Sequence, residues 1–565
     1  MQKKPLCIAM GLATFGMLAT ANQVLAADPP TAGSVLESVK EVPAAPKPAD
    51  QVLEKQAEPA KAPAPVAAGA TVKVTGFRFT GNTVYNEAQL AALLADYKGK
   101  DLNLDGLNEA AEVIKSHYRQ NEYFLAQAVL PPQEIKDGMV VIQVVEGSIG
   151  KTNIKMADNA RLKEGVARRY MDAMLPAGAM ITETSIEKPL LLLNDLPGVT
   201  IRSTLRPGAQ AGEADVDVVV GDEGKRLAGD AQLDNWGNRN SGKLRLTGNL
   251  EARNLTGYGD LLSLRLMLAE DQGTSLGRLS YTMPVGSKGT KVTASYSDLS
   301  YELGEAFADL DADGEAKVAS LLALHPFKRS RNSNLFGMLG FDNKRLADRQ
   351  GGGTSEDKRR VNNLWAGVTG DFRDDRAGGA LNTYTVALTT GDVDIATADT
   401  LDTYDTEGRF TKLNASYQRL QHVADNTALL MSVSGQLANK NLASVEQMSL
   451  GGPRGVRSHP VGEASGDDAF LTTLELRRVL PSLKPLGGTL QVSAFADYGF
   501  ARVHHNGSDS SSEDNTRTLF GYGVGVNLGK QGDFLLRMDV AFRAGEESTD
   551  DDKRARLWAQ AIKWF

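Results

Sequence analysis

The sequence predicts a transmembrane antiparallel β-barrel preceded by two small α+β units. Three observations carry that prediction. The chain opens on an export signal, no later apolar run reaches about 18 residues, and from about residue 227 onward leucines and charged residues alternate with period two. An exported chain that crosses a bilayer without apolar helices has to close its strands into a barrel, because every backbone polar group in hydrocarbon needs a partner.

Residues 1–26 read as a secretory signal peptide. Lys3 and Lys4 form the basic start, Leu6 to Ala21 is apolar, and Val24-Leu25-Ala26 supplies a cleavage site. The apolar stretch is short for a spanning helix. The single cysteine, Cys7, lies inside this segment and away from the cleavage site, so the expected mature chain has neither a disulfide nor a cysteine-linked lipid. Residues 27–70 form a linker rich in Ala and Pro, semi-extended in character. Within it Ser34–Lys40 has room for two helical turns before Pro43. A short plug helix and a tether without fixed structure both fit that segment.

Residues 71–150 and 151–224 each show the order β-α-α-β-β. In the first, "TVKVTGFRFTGNTVY" alternates and turns at Gly81-Asn82, two stretches of helical spacing follow, and "VVIQVVEGSIG" alternates again. In the second, "RLKEGVARRYMDAML" and "SIEKPLLLLNDLPG" are helical and "EADVDVVVGDE" is a strand. Repeated units of this kind offer sheet edges to extended peptides.

Residues 225–565 carry the barrel strands. Leu244, Leu246 and Leu250 share one face against Lys243, Arg245, Asn249 and Glu251, and Leu262, Leu264, Leu266 and Leu268 share another. Leu536, Met538, Val540 and Phe542 oppose Arg537, Asp539 and Arg543. In a soluble sandwich the charged face would meet bulk water; in a barrel it lines a wet lumen while the leucines meet lipid. The export signal and the number of strands favour the barrel. Strands are expected at 429–438, 469–478, 490–501, 518–529, 534–544 and 554–565, joined by alternately long and short connections. That rhythm puts the last strand's end and the α+β units on the same side, so the strand number is even. Strands of about 10 residues leave fourteen, sixteen and eighteen open. The chain closes on an alternating strand with Trp564 and the terminal aromatic Phe565, next to an uncommon Lys563.

Charge and motifs narrow the function. The net charge of −8 argues against nucleic acid as a partner. "DLDADGE" places Asp309, Asp311, Asp313 and Gly314 like the start of a calcium loop, but its twelfth position is Ser320 and strands flank it. His504-His505 alone makes a weak metal site, and "GGPRG" lacks the Lys-Ser/Thr of a phosphate loop. No catalytic constellation, cofactor motif or metal signature is found.

The stretch "LGGPRGVRSHPVGEASGDD", 450–468, has loop composition yet holds an apolar Val456 beside Arg457. Together with "FRFTGNTVY", "YFLAQAVLPPQEIKDGMVVIQVVEG", "LNDLPGVTIRSTLRPG", "LDNWGNRNSG", "NLTGYGD", "SYTMPVG" and "FADYGFARV", in that order, it resembles the two-partner secretion transporters. These are the TpsB-type exporters of haemolysins and filamentous haemagglutinins, within the outer-membrane insertase superfamily. The resemblance implies two periplasmic POTRA domains and a barrel of sixteen antiparallel strands. It implies one large secreted partner with an N-terminal secretion domain, a surround of outer-membrane lipid, and insertion by the barrel assembly machinery. It also implies that the loop between strands 11 and 12 folds into the lumen, where its arginine meets the aspartate of an aromatic-x-Asp-x-Gly motif. Here those residues are Arg457, after Val456, and Phe495-Ala496-Asp497-Tyr498-Gly499. Alternation in "LQVSAFADYGF" independently turns Phe495, Asp497 and Gly499 to the lumen. The family's Val-Arg-Gly-Tyr tip is Val-Arg-Ser-His here, so the tip's own conformation stays open. A barrel assembly factor is the alternative, although that branch more often has three or five POTRA units.

Overall fold

The computed structural model describes residues 29–39, 53–54, 71–210, 212–397, 402–507, 515–545 and 553–565. The signal peptide, Cys7 and most of the linker lie outside the described residues.

The first α+β unit packs two helices on a three-stranded sheet made of Gly76–Thr80, Met139–Val145 and Gln127–Val129. Period two sends Phe77, Phe79, Val140, Ile142 and Val144 inward. The helix Leu104–Gln120 answers with Leu107, Ala110, Ala111, Ile114 and Tyr118, the spacing of one helical face. Asn103 caps that helix by accepting from the Gly106 N–H at 2.9 Å, and Asn86 with Gln89 forms a capping box on Glu87–Leu93. Buried Glu146 fixes the turn after Gly81. It accepts from the N–H groups of Thr83 and Val84 at 2.6 and 2.8 Å, from the Thr83 hydroxyl, and from the Tyr118 hydroxyl at 2.8 Å. Burial alone would raise its pKa; those four donors outweigh burial and hold it below the usual carboxylate value.

The second unit has helices Glu164–Met174 and Glu183–Asn194 over strands Ser148–Met156, Val199–Pro207 and Glu213–Asp222. Linker residues Leu53–Glu54 run parallel beside Ser203–Thr204 at the sheet's edge. The expected division between 150 and 151 needs correcting, because the strand Ser148–Met156 crosses it. The first unit's last strand ends at Val145, so only the Glu146-Gly147 turn separates the two sheets.

Sixteen antiparallel strands close the barrel. Each pairs with its sequence neighbours. The first, Leu227–Asp234, also pairs with the last, Ala555–Trp564, from Asp230 opposite Trp564 to Asp234 opposite Gln560. The strands expected near the C-terminus are present at Thr427–Ala438, Asp468–Leu480, Thr489–Arg502, Thr516–Lys530, Phe534–Arg543 and Ala555–Trp564, the eleventh to the sixteenth. Leu244, Leu246, Leu250, Leu264, Leu266 and Leu268 are all exposed on the outer wall, as are Leu339 and Leu388 farther round. The residues between them face inward, so the one alternation makes both a lipid surface and a polar lumen.

The second unit docks on the short turns. Asp195 at the end of helix Glu183–Asn194 receives both Nε and Nη2 of buried Arg329 at 2.7 Å, and its carbonyl accepts from Lys291 Nζ at 2.8 Å. Glu187 pairs with Arg331, and the Lys163 ammonium sits 3.9 Å from the Tyr258 ring centroid. The end of the barrel with short turns therefore faces the α+β units.

Candidate functional site

Two polypeptide segments fill the lumen. The first is helix α1, Ala32–Val39, which starts two residues before the segment singled out in the sequence. Eight residues are too few for a helix stable by itself, so its order comes from the wall. Asp348 accepts from the Ala32 N–H at 2.7 Å at the positive end of the helix, and the Tyr301 hydroxyl donates to the same oxygen at 2.5 Å. Ala32, Val35 and Val39 pack with Met267, Leu276, Leu299, Leu346 and Phe410. Gly33 allows close approach, because a Cβ there would overlap Ser444 and Val445.

The second segment is the loop 439–467 between the eleventh and twelfth strands. Its outer arm is anchored by Glu446, whose carboxylate lies 2.5 Å from Lys344 Nζ and 2.9 Å from Lys412 Nζ and accepts from Asn363 at 2.7 Å. Ser444, two residues earlier, shares a 2.8 Å hydrogen bond with Thr31 at the start of α1. The two lumen segments therefore touch.

The loop tip contains the site expected from the sequence. Arg457 is 3% exposed. Its Nε and Nη2 donate to the two oxygens of Asp497 at 2.8 and 2.9 Å, a bidentate pairing. The backbone N–H adds a 3.2 Å bond to Asp497, and Nη1 reaches Glu475 at 3.0 Å. The guanidinium carbon lies over Phe495, 3.3 Å from the ring centroid. Val456 is fully buried among Leu450, Ala464, Ala469, Ala501 and Leu519. A Cβ on Gly499 would come within 3.0 Å of Val456 Cγ2. All five expected loop-site residues, Val456, Arg457, Phe495, Asp497 and Gly499, thus meet at one point on the lumen wall.

The Ser458-His459 departure also has a seat. Ser458 Oγ bonds His459 Nδ1 at 2.9 Å, and both side chains are buried. The fourteenth strand makes room for them. Gly521 lies beneath Ser458, Gly523 beneath the Phe495 ring, and Gly525 beside Asp539 and Ser493; a Cβ at any of the three would collide.

Sequence reading missed three partners of the arginine. Glu475 on the twelfth strand also accepts from Arg477 at 2.9 Å. Asp539 on the fifteenth is 3.9 Å from the guanidinium and is held by Arg537 at 2.7 Å. Trp558 on the last strand donates its indole N–H to the Arg457 carbonyl at 2.6 Å. Buried Arg457 and the partly exposed Arg477 and Arg537 thus balance the buried Asp497, Glu475 and Asp539.

The other residues singled out lie elsewhere. Phe565 covers Gly229 at the short-turn end, exchanging backbone hydrogen bonds with it at 3.0 and 3.2 Å, while half-buried Trp564 donates its N–H to the Asp533 carbonyl at 2.9 Å. Lys563 binds the Asp533 carboxylate in that turn. Asp313 is occupied by Arg349 at 2.6 Å, His504 stacks on Tyr404, and His505 Nδ1 lies 2.8 Å from Asp468.

Comparison with known proteins agrees with this architecture. Residues 212–528 match the profile described as haemolysin secretion/activation protein ShlB/FhaC/HecB, and residues 72–147 match the POTRA domain, ShlB-type. The heme/hemopexin transporter protein HuxB of Haemophilus influenzae strain KW20 / Rd is 30% identical over 484 residues, 84% of each chain. The solved structure of CdiB from Escherichia coli superposes with a TM-score of 0.72 at 20% identity, covering 90% of this chain and 93% of that one. CdiB from Acinetobacter baumannii gives 0.63 at 16% identity, covering 88% and 91%. These structural likenesses carry the fold, and the sequence matches carry the kinship: the chain belongs to the haemolysin secretion/activation family of two-partner secretion transporters, with a sixteen-stranded barrel in the outer membrane and its POTRA region in the periplasm.

Proposed function

We infer that this chain is the pore of a two-partner secretion pair, taking one large partner protein from its POTRA units through the barrel to the cell surface or medium. The observation that carries the reading is the union, in one chain, of paired α+β units with a closed barrel whose polar lumen holds a loop pinned by Arg457. The partner's N-terminal secretion domain adds to exposed POTRA sheet edges as an extended segment. The outer leucine face meets outer-membrane lipid, and the last strand with Trp564 and Phe565 is the segment read by the barrel assembly machinery. The Arg457–Asp497 pairing acts as the lock of the lumen loop, which with α1 has to move for passage. No catalytic role is assigned; folding of the partner outside supplies the work, without nucleotide hydrolysis. HuxB is named a heme/hemopexin transporter, and a partner of that class is the first to test.

Removal of residues 72–147 tests the reading. It should abolish secretion of one large partner while other outer-membrane proteins assemble normally. A general loss of barrel proteins would instead favour a role in barrel assembly.

A further inference from the structure

The closing strand pair is short. The first strand meets the last only from Asp230–Trp564 to Asp234–Gln560, whereas the seventh and eighth stay paired from Ser333–Phe372 to Gln350–Ser355. Beyond Asp234 the ladder continues through Asn235, whose backbone N–H donates to the Ala559 carbonyl at 3.2 Å and whose side chain adds two further bonds. Asn235 donates from Nδ2 to the Leu557 carbonyl at 2.8 Å and accepts from the Ala559 N–H at 2.8 Å. Past Asn235 the first strand turns inward at Trp236, which is buried, and among the described residues the pairing of the first strand with the last does not extend beyond that point.

The tip of the lumen loop sits at that point. From the last strand, Trp558 donates its indole N–H to the Arg457 carbonyl. From the turn after the first strand, Asn238 Nδ2 donates to the Val461 carbonyl at 2.8 Å. Val461 itself packs between Trp236 and Trp558 in a small buried cluster of those three residues. The wall on both sides of the closure is thus joined through residues 457–461, in addition to the pairing with Asp497 and Glu475.

We propose that Trp558 and Asn238 are positioning residues that make the loop tip a clasp across the barrel closure, so that release of the loop and parting of the first and last strands favour one another. This rests on the reading of the loop as the resident of the pore. Coupling of this kind is reciprocal: whatever holds the strands together also holds the tip.

The test uses full-length protein in liposomes, with Ser458→Cys at the tip as the reporter and the rate of its modification by a polar maleimide as the readout. Trp558→Phe keeps the ring and removes the donor, leaving a buried carbonyl unpaired. It should raise the labelling rate about tenfold. Asn238→Ala is the second variant and carries the same expectation if Trp558→Phe fails to assemble. A disulfide between Leu233→Cys and Ala561→Cys, opposite one another at the closure, should slow labelling about fivefold, reversibly on reduction. That slowing should vanish in Trp558→Phe. Labelling indifferent to the disulfide, or unchanged by both donor variants, would overturn the clasp. A Ser458→Cys reporter labelled at the rate of an exposed cysteine in the otherwise unaltered protein would overturn the pore-loop reading, and the clasp with it.

Discussion

Replacing Arg457 with alanine should free the lumen loop without unfolding the barrel. The guanidinium makes three charge-assisted hydrogen bonds, at 2.8 and 2.9 Å to Asp497 and 3.0 Å to Glu475. Its side chain is 4% exposed and those of Asp497 and Glu475 are 1% and 5% exposed. Water therefore does not replace the lost partner while the loop stays in place. Removing one member of such a buried set costs about 3–5 kcal/mol, mostly by leaving Asp497 with only the Thr473 hydroxyl at 2.9 Å and the loop backbone N–H. At about 1.4 kcal/mol per tenfold, the balance between held and released loop shifts by roughly two to three and a half orders of magnitude. The strand ladder does not involve this side chain, so heat-modifiable migration should be unchanged. In planar bilayers the closed dwell time should shorten by at least about a hundredfold, and secretion of the partner should fall. Arg457→Lys should be intermediate, because an ammonium keeps the charge but not the fork or the stacking on Phe495. Closed dwell times within threefold of wild type for Arg457→Ala would refute the reasoning.

Three other perturbations address separate parts of the account. Gly521→Val places methyl groups where Ser458 sits; the tip should be displaced, and loop protection from protease should drop while the barrel still assembles. Leu266→Arg puts a cation on the outer wall, where leucine 266 is 54% exposed, and should cost about 2–4 kcal/mol near the bilayer midplane, read as a lower urea midpoint for refolding into liposomes. Glu146→Gln should loosen the first POTRA unit at neutral pH. Glu146 has a folded pKa below its ordinary 4.5, so its contribution is fully present above the unfolded value and is lost as pH falls through the depressed one. Hydrogen exchange around Tyr118 should therefore accelerate on acidification below about pH 4.5 in wild type. The Gln variant should lack that step.

Much of the fold is legible because period-two alternation is a local property. Leu264, Leu266 and Leu268 declare their face whichever strands flank them, and the loop at 439–467 announces itself by composition. Alternation also turns Asp497 and Gly499 inward, whereas the pairing of Asp497 with Arg457 rests on the family resemblance. What escapes sequence reading depends on register and curvature. Glu475, Asp539 and Trp558 come from three different strands, and only the closed barrel brings them round one arginine, the carboxylates at its guanidinium and the indole at its carbonyl. The glycines 521, 523 and 525 did leave a signal, a period-two run on the lumen face, whose meaning needs the loop above it. Helix α1 is the opposite case. Its eight residues have too little intrinsic stability to declare a helix, and Asp348, Ser444 and Val445 on distant segments supply the order. The misplaced unit boundary reflects a two-residue turn at Glu146-Gly147, too short to interrupt the alternation.

The central claim is that a partner polypeptide travels inside this barrel, along the wall that alternates with the leucines. Site-specific photo-crosslinking during secretion tests it at adjacent residues of the ninth strand, Ala380–Ile395: Thr389, buried on the lumen side, and Leu388, exposed on the outer wall. A crosslinker at Thr389 should capture the secreted partner and one at Leu388 should capture only lipid. Capture of the partner from Leu388, with none from Thr389, would contradict the account.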